Sequence, residues 1–202
     1  MKIHLRADER VVFVGATGSG KTELAKHFLK RLNRVVIIDP KHTFRLDGFT
    51  RRKTIPLLGK RFKIIYRPDR HDDGKLADFL DDLLRLKHVT IYVDELQSLV
   101  LRFPEATEVL TDIVRVGRER FVSVWSAMQR PKRVPIFFLS EAEATFMFNL
   151  RRQEDRQYMA EYVGDWAGDE IEEFTFWCSH VREKLPALMT LNLNKNYILK
   201  IG

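Results

Sequence analysis

Eight residues near the amino terminus have the types and spacing needed to bind a chain of phosphates. They read G-x-x-x-x-G-K-T and are Gly15, Ala16, Thr17, Gly18, Ser19, Gly20, Lys21 and Thr22. Glycines let such a loop curl so that successive backbone N–H groups point inward at an anion. Lys21 then reaches the β- and γ-phosphates of a nucleoside triphosphate, and the Thr22 hydroxyl is a ligand for Mg²⁺. The loop therefore predicts nucleotide binding.

The segments on either side of this loop are the ones that such a site requires. Residues 10–14 form a short apolar run typical of a strand, and residues 23–32 favour a helix. The positive end of a helix beginning near Lys21 would face the same anion as the loop. A chance glycine-rich turn is the alternative, and the strand and helix around the motif argue against it.

A second group of reactive side chains follows another apolar run. Residues 89–93 predict a buried strand, and Asp94 and Glu95 come directly after it. Asp94 would hold the Mg²⁺ shell, and Glu95 would deprotonate the attacking water, as in the Walker B motif that this stretch resembles. Two ordinary acids at a surface edge would look the same. The upstream phosphate loop favours the catalytic interpretation.

Gln129 is a third candidate. It comes shortly after residues 121–126, which predict a core strand, and it precedes Pro131. At the carboxyl end of a strand beside the acidic pair, it could sense the γ-phosphate. It could equally be a solvent-facing glutamine before a proline turn, and the residues alone leave both alternatives open.

The chain is basic, with a formal net charge of +7, and much of this charge is clustered. The clustered residues are Lys41, Arg45, Arg51, Arg52, Lys53, Lys60, Arg61, Lys63, Arg67 and Arg70. Such a cluster is either a footprint for a phosphate backbone or a solvated basic loop. Within it, residues 42–60 show little periodicity and predict a long irregular excursion.

Strand-like and helix-like segments alternate along the chain, which predicts an α/β fold with a mainly parallel sheet. The further predicted strands are residues 35–38, 62–66, 144–148, 173–178, 187–193 and 197–201, and the further helices are residues 75–87, 105–116 and 151–163. We expect one domain over residues 1–202. No signal peptide or membrane span is expected, and the single Cys178 suggests a buried structural thiol in a reducing, cytoplasmic compartment.

Four segments in this order resemble the FtsK/HerA superfamily of DNA-pumping ATPases. They are Gly15 to Thr22, Ile38-Asp39-Pro40-Lys41, Val93-Asp94-Glu95 and Gln129-Arg130-Pro131, and Gly117-Arg118 is also similar to that family. The resemblance covers roughly residues 10–135. The chain has no room for the extra modules of the large members, so it looks most like the compact genome-packaging ATPases of membrane-containing icosahedral viruses and phages.

This resemblance implies a RecA-like (ASCE) P-loop NTPase core with helices on both faces of the sheet. It implies hydrolysis of ATP with Mg²⁺ by a ring, expected to be a hexamer, that moves double-stranded DNA in the host cytoplasm or the virion. Capsid or viral membrane proteins would be further partners. A neighbouring subunit would complete each site with an arginine, for which Arg67 ranks slightly ahead of Arg118.

Three other functions fit the same motifs. A small-molecule or nucleotide kinase is also a P-loop domain of about this size, but it transfers the phosphoryl group to a bound acceptor. A cellular or plasmid DNA-transfer ATPase would belong to the same superfamily. A nucleotide-gated assembly protein of that superfamily commonly carries a membrane helix, which is not expected here.

Overall fold

The structure is a computed structural model that describes residues 4–54, 58–182 and 186–192 and, for the backbone alone, residues 199–200. Its strands are β1 (Leu5–Arg6), β2 (Val11–Val14), β3 (Arg34–Ile38), β4 (Thr50–Arg52), β5 (Phe62–Tyr66), β6 (Val89–Val93), β7 (Val122–Met128), β8 (Ala144–Phe148), β9 (Thr175–His180), β10 (Ala187–Thr190) and β11 (Leu199–Lys200). Its α-helices are α1 (Lys21–Leu29), α2 (Asp73–Arg85), α3 (Leu96–Arg102), α4 (Pro104–Val116), α5 (Phe137–Ser140) and α6 (Gln153–Val163). Short 3-10 turns lie at Gly117–Arg120, Pro131–Arg133 and Asp165–Gly168.

Nine of the described strands form one sheet in the order β10-β9-β8-β2-β7-β6-β3-β5-β4. All strands from β8 to β4 are parallel, whereas β9 runs antiparallel to both β8 and β10. A separate parallel pair joins β1 to β11. The predicted α/β fold with a mainly parallel sheet is confirmed.

The strand order brings the candidate residues to one edge of the sheet. β7 lies between β2 and β6, and β3 lies on the far side of β6. Because these four strands are parallel, the residues that follow each of them emerge at the same carboxyl edge. Open α/β sheets bind their ligands at that edge.

Helices cover both faces of the sheet, as expected. Alternate residues of a strand point to opposite faces. Val12 and Val14 accordingly join the core that contains α2 and α4, whereas Val11 and Phe13 join the core that contains α1. The two cores hold the sheet rigidly and so fix the positions of its strand ends.

The apolar pattern of α2 explains why it forms and which side it buries. Leu76, Phe79, Leu80 and Leu83 follow the three- and four-residue spacing of one helix face, and all four are buried. Burying each such side chain contributes about 1.5–3 kcal/mol.

The prediction of an irregular excursion over residues 42–60 is wrong in part. β4 lies within it and pairs in parallel with β5 at one end of the sheet. Its three residues, Thr-Arg-Arg, are all exposed and carry no apolar alternation, so nothing in the sequence marks them as a strand. The segment is therefore an edge strand between loops.

The carboxyl-terminal strands agree with the sequence where they are described. The predicted strands at residues 173–178 and 187–193 correspond to β9 and β10, and β11 falls within the one predicted at residues 197–201. Residues 193, 197, 198 and 201 lie outside the described part. Cys178 is buried, as predicted. Among the described residues no helix has the length and apolar character to cross a membrane.

Candidate active site

The phosphate loop is fixed to the ends of β7 and β8, the two strands that flank β2. The backbone N–H of Gly15 donates to the carbonyl of Met128 at 3.1 Å, and that of Ala16 donates to the carbonyl of Asn149 at 2.9 Å. Gly18 and Gly20 have φ angles of 81° and 100°, in the left-handed region that favours glycine. The loop thus has the curled backbone that an anion-binding nest needs.

The side chain of Lys21 lies inside the curl of the loop. Its ammonium donates to the carbonyl of Ala16 at 3.1 Å, and the residue is buried. Burial lowers the pKa of Lys21, and the nearby carboxylates of Asp94 and Glu95 oppose this shift. The hydroxyl of Ser19 is buried too and has no hydrogen-bond partner among the described residues. A buried cation and an unpaired hydroxyl beside free helix N–H groups fit a phosphate chain.

Asp94 sits at the end of β6 in a site suited to a cation. The hydroxyl of Tyr92 donates to Oδ1 of Asp94 at 3.1 Å. Burial raises the pKa of Asp94 to about 6, and the hydrogen bond from Tyr92 opposes this shift. A carboxylate held in such surroundings gains from a nearby positive charge. The carboxylate of Asp94 and the hydroxyl of Thr22 in the first turn of α1 are oxygen donors of the kind that Mg²⁺ prefers.

Among the described residues no group of three or more His, Cys, Asp or Glu side chains is placed to hold a metal. Mg²⁺ at a nucleotide usually takes several of its ligands from phosphate oxygens and water.

Glu95 has an unusual backbone and two side-chain partners. It precedes α3 with φ 66° and ψ 64°, a left-handed conformation that costs a non-glycine residue about 1–3 kcal/mol. Its Oε1 accepts hydrogen bonds from the ammonium of Lys41 and, at 3.2 Å, from Nε2 of Gln97. Backbone strain of this kind is concentrated at functional sites.

Gln129 connects the phosphate loop to α3. Thr17 donates from Oγ1 to Oε1 of Gln129 at 2.8 Å, and the backbone N–H of Gln129 donates to Oε1 of Gln97 at 3.3 Å. Through the bond from Gln97 to Glu95, hydrogen bonds run without a break from Thr17 to Lys41. Gln97 was not predicted from the sequence, because it belongs to no motif.

The two candidate arginines occupy very different positions. Arg67 follows β5 and donates from Nε to Oδ2 of Asp39 at 3.0 Å and from Nη2 to the carbonyl of Phe44 at 2.9 Å. Asp39 is fully buried and also accepts the backbone N–H groups of Thr43 and Phe44. Arg67 therefore has a structural role within its own chain.

Arg118 lies in the 3-10 turn just before β7, and it is exposed. That turn is at the amino edge of the sheet, whereas the phosphate loop is at the carboxyl edge. The structure does not bring Arg118 to the phosphate loop of the same chain.

The predicted basic cluster is mostly on the surface. Its exposed members are Lys41, Arg45, Arg51, Arg52, Lys53, Lys60, Arg61 and Arg70. Several of them lie on β4 and its flanking loops at the far end of the sheet. Lys41 connects this surface to the acidic pair through its contact with Glu95.

A cavity of about 570 Å³ opens beside the second half of the phosphate loop. Its walls are formed by Gly18, Gly20, Lys21, Thr22, Glu23, Phe174, Leu191 and Asn192. Phe174 is 52% exposed and lines this cavity.

Fold and site together define a P-loop ATPase. Residues 6–148 match the family model described as the AAA domain, and the chain belongs to that family. No curated protein sequence matches the chain.

Solved structures share the fold. The genome packaging NTPase B204 of Sulfolobus turreted icosahedral virus 2, in complex with AMPPCP, superposes with a TM-score of 0.71 at 17% identity, over 92% of this chain and 99% of that chain. The pCW3 conjugation coupling protein TcpA, with ATPγS, superposes with a TM-score of 0.61 at 14% identity, over 91% of this chain and 60% of that chain. ATPases 2 and 3 of EssC from Geobacillus thermodenitrificans superpose with a TM-score of 0.61 at 11% identity, over 86% of this chain and 38% of that chain. At these identities the likeness establishes the fold.

Proposed function

We propose that the protein is an ATP-driven translocase of double-stranded DNA, of the compact genome-packaging type in the FtsK/HerA superfamily. The observation that carries this proposal is the convergence of three strand ends. The phosphate loop after β2, Gln129 after β7 and the Asp94-Glu95 pair after β6 lie side by side at one edge of the sheet. This is the arrangement that hydrolysis of a nucleotide requires.

Each residue has a defined task in the reaction. The loop N–H groups and Lys21 bind the phosphates, and Thr22 and Asp94 hold the metal. Bound Mg²⁺ offsets the negative charge of the phosphates. The Glu95 carboxylate accepts a proton from water as the water oxygen bonds to the γ-phosphorus. The bond between that phosphorus and the bridging oxygen breaks, which gives ADP and inorganic phosphate.

The exposed basic surface supports DNA as the partner. Its cations are spread over β4 and the loops around it, and three of them, Arg52, Arg61 and Lys63, line a cavity there. Contacts of this kind bind phosphates and are independent of base sequence, as a protein that moves along DNA requires. Lys41 belongs to both this surface and the acidic site, so it offers a route by which DNA could influence hydrolysis.

A ring of copies, expected to be a hexamer, is the proposed active form. Arg118 supports it, because this exposed arginine lies at the edge opposite the phosphate loop and could reach only the site of another copy. Since Arg67 is bound to the buried Asp39, we assign the arginine that completes the neighbour's site to Arg118 rather than Arg67. In a packaging motor, this ring would act in the host cytoplasm or the virion, beside capsid or viral membrane proteins.

The test is ATP hydrolysis with and without long double-stranded DNA, comparing the wild type, Glu95→Gln and the exposed control Glu119→Gln. Loss of a general base lowers the rate about 10²–10⁴-fold, so we expect DNA-stimulated hydrolysis that Glu95→Gln abolishes and Glu119→Gln retains. Hydrolysis indifferent to every nucleic acid contradicts the translocase. Turnover only with a small-molecule acceptor indicates a kinase.

A DNA-transfer ATPase of the same superfamily is the second candidate, since TcpA shares the fold. The two differ in the partner that they serve. Retention of the protein on empty capsids of its source, compared with retention on a conjugation complex, separates them.

A further inference from the structure

The cavity beside the phosphate loop has one wall that phosphate binding does not explain. Gly18, Gly20, Lys21 and Thr22 line the part made by the loop and α1, and Phe174 and Leu191 form an apolar wall beside them. The apolar wall comes from the two ends of the β9–β10 hairpin, far along the chain from the loop. An apolar wall beside a phosphate loop suggests that the ligand has an apolar part in addition to its phosphates.

Phe174 and Leu191 are held together and against the loop. The backbone N–H of Leu191 donates to the carbonyl of Phe174 at 2.7 Å. A methyl group added at Gly20 would lie 2.5 Å from Cδ2 of Leu191, so this leucine touches the loop backbone. Phe174 has φ 58°, and a non-glycine residue in that region indicates a constrained position. The apolar wall is thus built into the fold.

The direction of a bound nucleotide leads into this cavity. Asp94, Glu95 and Gln129 lie at the β6 and β7 side of the loop, where the γ-phosphate must be for hydrolysis. The nucleoside end then leaves on the other side, past Gly20 and the first turn of α1, where the cavity opens. A volume of about 570 Å³ lies within the usual range of small-molecule pockets.

We propose that Phe174 and Leu191 form the platform for the base of the nucleotide, and that they favour purines. This inference rests on the proposed binding of ATP. A half-exposed phenylalanine ring offers one flat face, and stacking increases with the area of the base. Adenine and guanine nucleotides should therefore bind more tightly than cytosine and uracil nucleotides.

Phe121 provides a matched control. It is also a partly exposed phenylalanine, at 40%, and its φ of 55° is nearly the same as that of Phe174. It lies at the amino edge of the sheet, stacked on His88 and away from the loop. Replacement by alanine removes a partly exposed phenylalanine with a left-handed backbone at either position, and of the two only Phe174 lies beside the phosphate loop.

The experiment measures the dissociation constants of ATP, CTP and inorganic tripolyphosphate for the wild type, Phe174→Ala, Phe174→Tyr and Phe121→Ala. We expect Phe174→Ala to weaken the binding of ATP about tenfold or more and to leave the binding of tripolyphosphate unchanged. Phe174→Tyr should retain ATP affinity, and Phe121→Ala should match the wild type. The wild type should bind ATP more tightly than CTP.

Three results would overturn the inference. The first is equal ATP affinity in Phe174→Ala and the wild type. The second is weaker binding of both tripolyphosphate and ATP in Phe174→Ala, which indicates damage to the loop itself. The third is wild-type protein that binds tripolyphosphate as tightly as ATP, which leaves phosphate binding intact but removes any role for the base. Wild-type protein that binds neither ligand overturns the proposed function as well.

Discussion

The ammonium of Lys41 contacts the carboxylate of Glu95, the residue proposed to activate water. The lysine side chain is 41% exposed and the glutamate side chain 14% exposed, so the cation covers the acid from the solvent side. An ammonium bound to a carboxylate oxygen competes with water for that oxygen. The ion pair therefore competes with an attacking water for Oε1 of Glu95.

Replacing Lys41 by methionine should raise hydrolysis without DNA several-fold, because it frees the Glu95 carboxylate while keeping the length of the side chain. Steady-state phosphate release measures the effect. Lys53→Met is the control, since Lys53 is an exposed member of the same basic surface. A rate below that of the wild type would instead show that Lys41 helps to position Glu95.

Replacing Gln129 by alanine should lower the hydrolysis rate by about tenfold or more, with a smaller change in ATP affinity. Its side-chain oxygen accepts the hydroxyl of Thr17, whereas its backbone N–H, which the substitution keeps, donates to Gln97. The substitution therefore separates the phosphate loop from the residues bound to Glu95, and misplacement of a reacting group is costly. Single-turnover rates and ATP dissociation constants should be measured together. Gln153→Ala, at an exposed glutamine at the start of α6, should match the wild type. An equal loss of rate and affinity would make Gln129 a binding residue.

Replacing Arg67 by alanine should destabilise the fold by about 3–5 kcal/mol, because it leaves the buried carboxylate of Asp39 without its cation. Urea unfolding measures this free energy. Arg118→Ala should change stability by no more than about 0.5 kcal/mol, as is usual for an exposed side chain. If Arg67→Ala leaves the free energy of unfolding unchanged, Arg67 is again a candidate for the arginine that completes a neighbouring site.

Mixing two inactive variants tests whether Arg118 acts on another copy. Arg118→Ala protein retains its phosphate loop, and Lys21→Ala protein retains its arginine. If the arginine acts between copies, a mixture should recover part of the ATPase activity that neither variant has alone. Activity in Arg118→Ala equal to that of the wild type, or a mixture no more active than its components, contradicts the assignment.

The buried carboxylate of Glu9 should make stability depend on pH in the acid range. Burial acts to raise its pKa, but hydrogen bonds from His180 and the backbone of Arg6, with the charges of His180 and Arg182, lower it overall below its usual value of 4.5. A carboxylate with a lowered pKa in the folded state contributes stability above pH 4.5, and this contribution is lost as the pH falls through the folded-state value.

Thermal unfolding from pH 3 to 7 measures this dependence. The wild-type midpoint should fall steeply below about pH 4.5, and Glu9→Gln should show a lower midpoint at neutral pH and a shallower fall. Glu172→Gln, at an exposed acid, should follow the wild-type curve. Identical slopes for Glu9→Gln and the wild type would place the acid sensitivity elsewhere.

The parts of the site that follow apolar strands were predictable from the sequence. The phosphate loop, Asp94 and Glu95 each come directly after such a strand, and the carboxyl ends of parallel strands meet at one edge. Gln97 and Phe174 were not predicted as site residues. Gln97 is near Glu95 only because α3 begins at once, and Phe174 reaches the loop only because the antiparallel β9–β10 pair returns to it.

β4 escaped prediction for a different reason. Its three exposed residues pair through the backbone alone, and backbone pairing leaves no pattern in the side chains. The pairing of Arg67 with Asp39 was not predictable either, because Asp39 follows a different strand and its burial depends on the tertiary fold.

The place of β7 between β2 and β6 also sets the distance between those two strands. Neighbouring strands are about 4.8 Å apart, so the two strands that carry the phosphate loop and the acidic pair are separated by about 10 Å. A gap of this width accommodates a phosphate group, a metal ion and a water molecule side by side. Because backbone hydrogen bonds to β7 fix the gap on both sides, substitutions of side chains on either wall can change its chemistry but not its width.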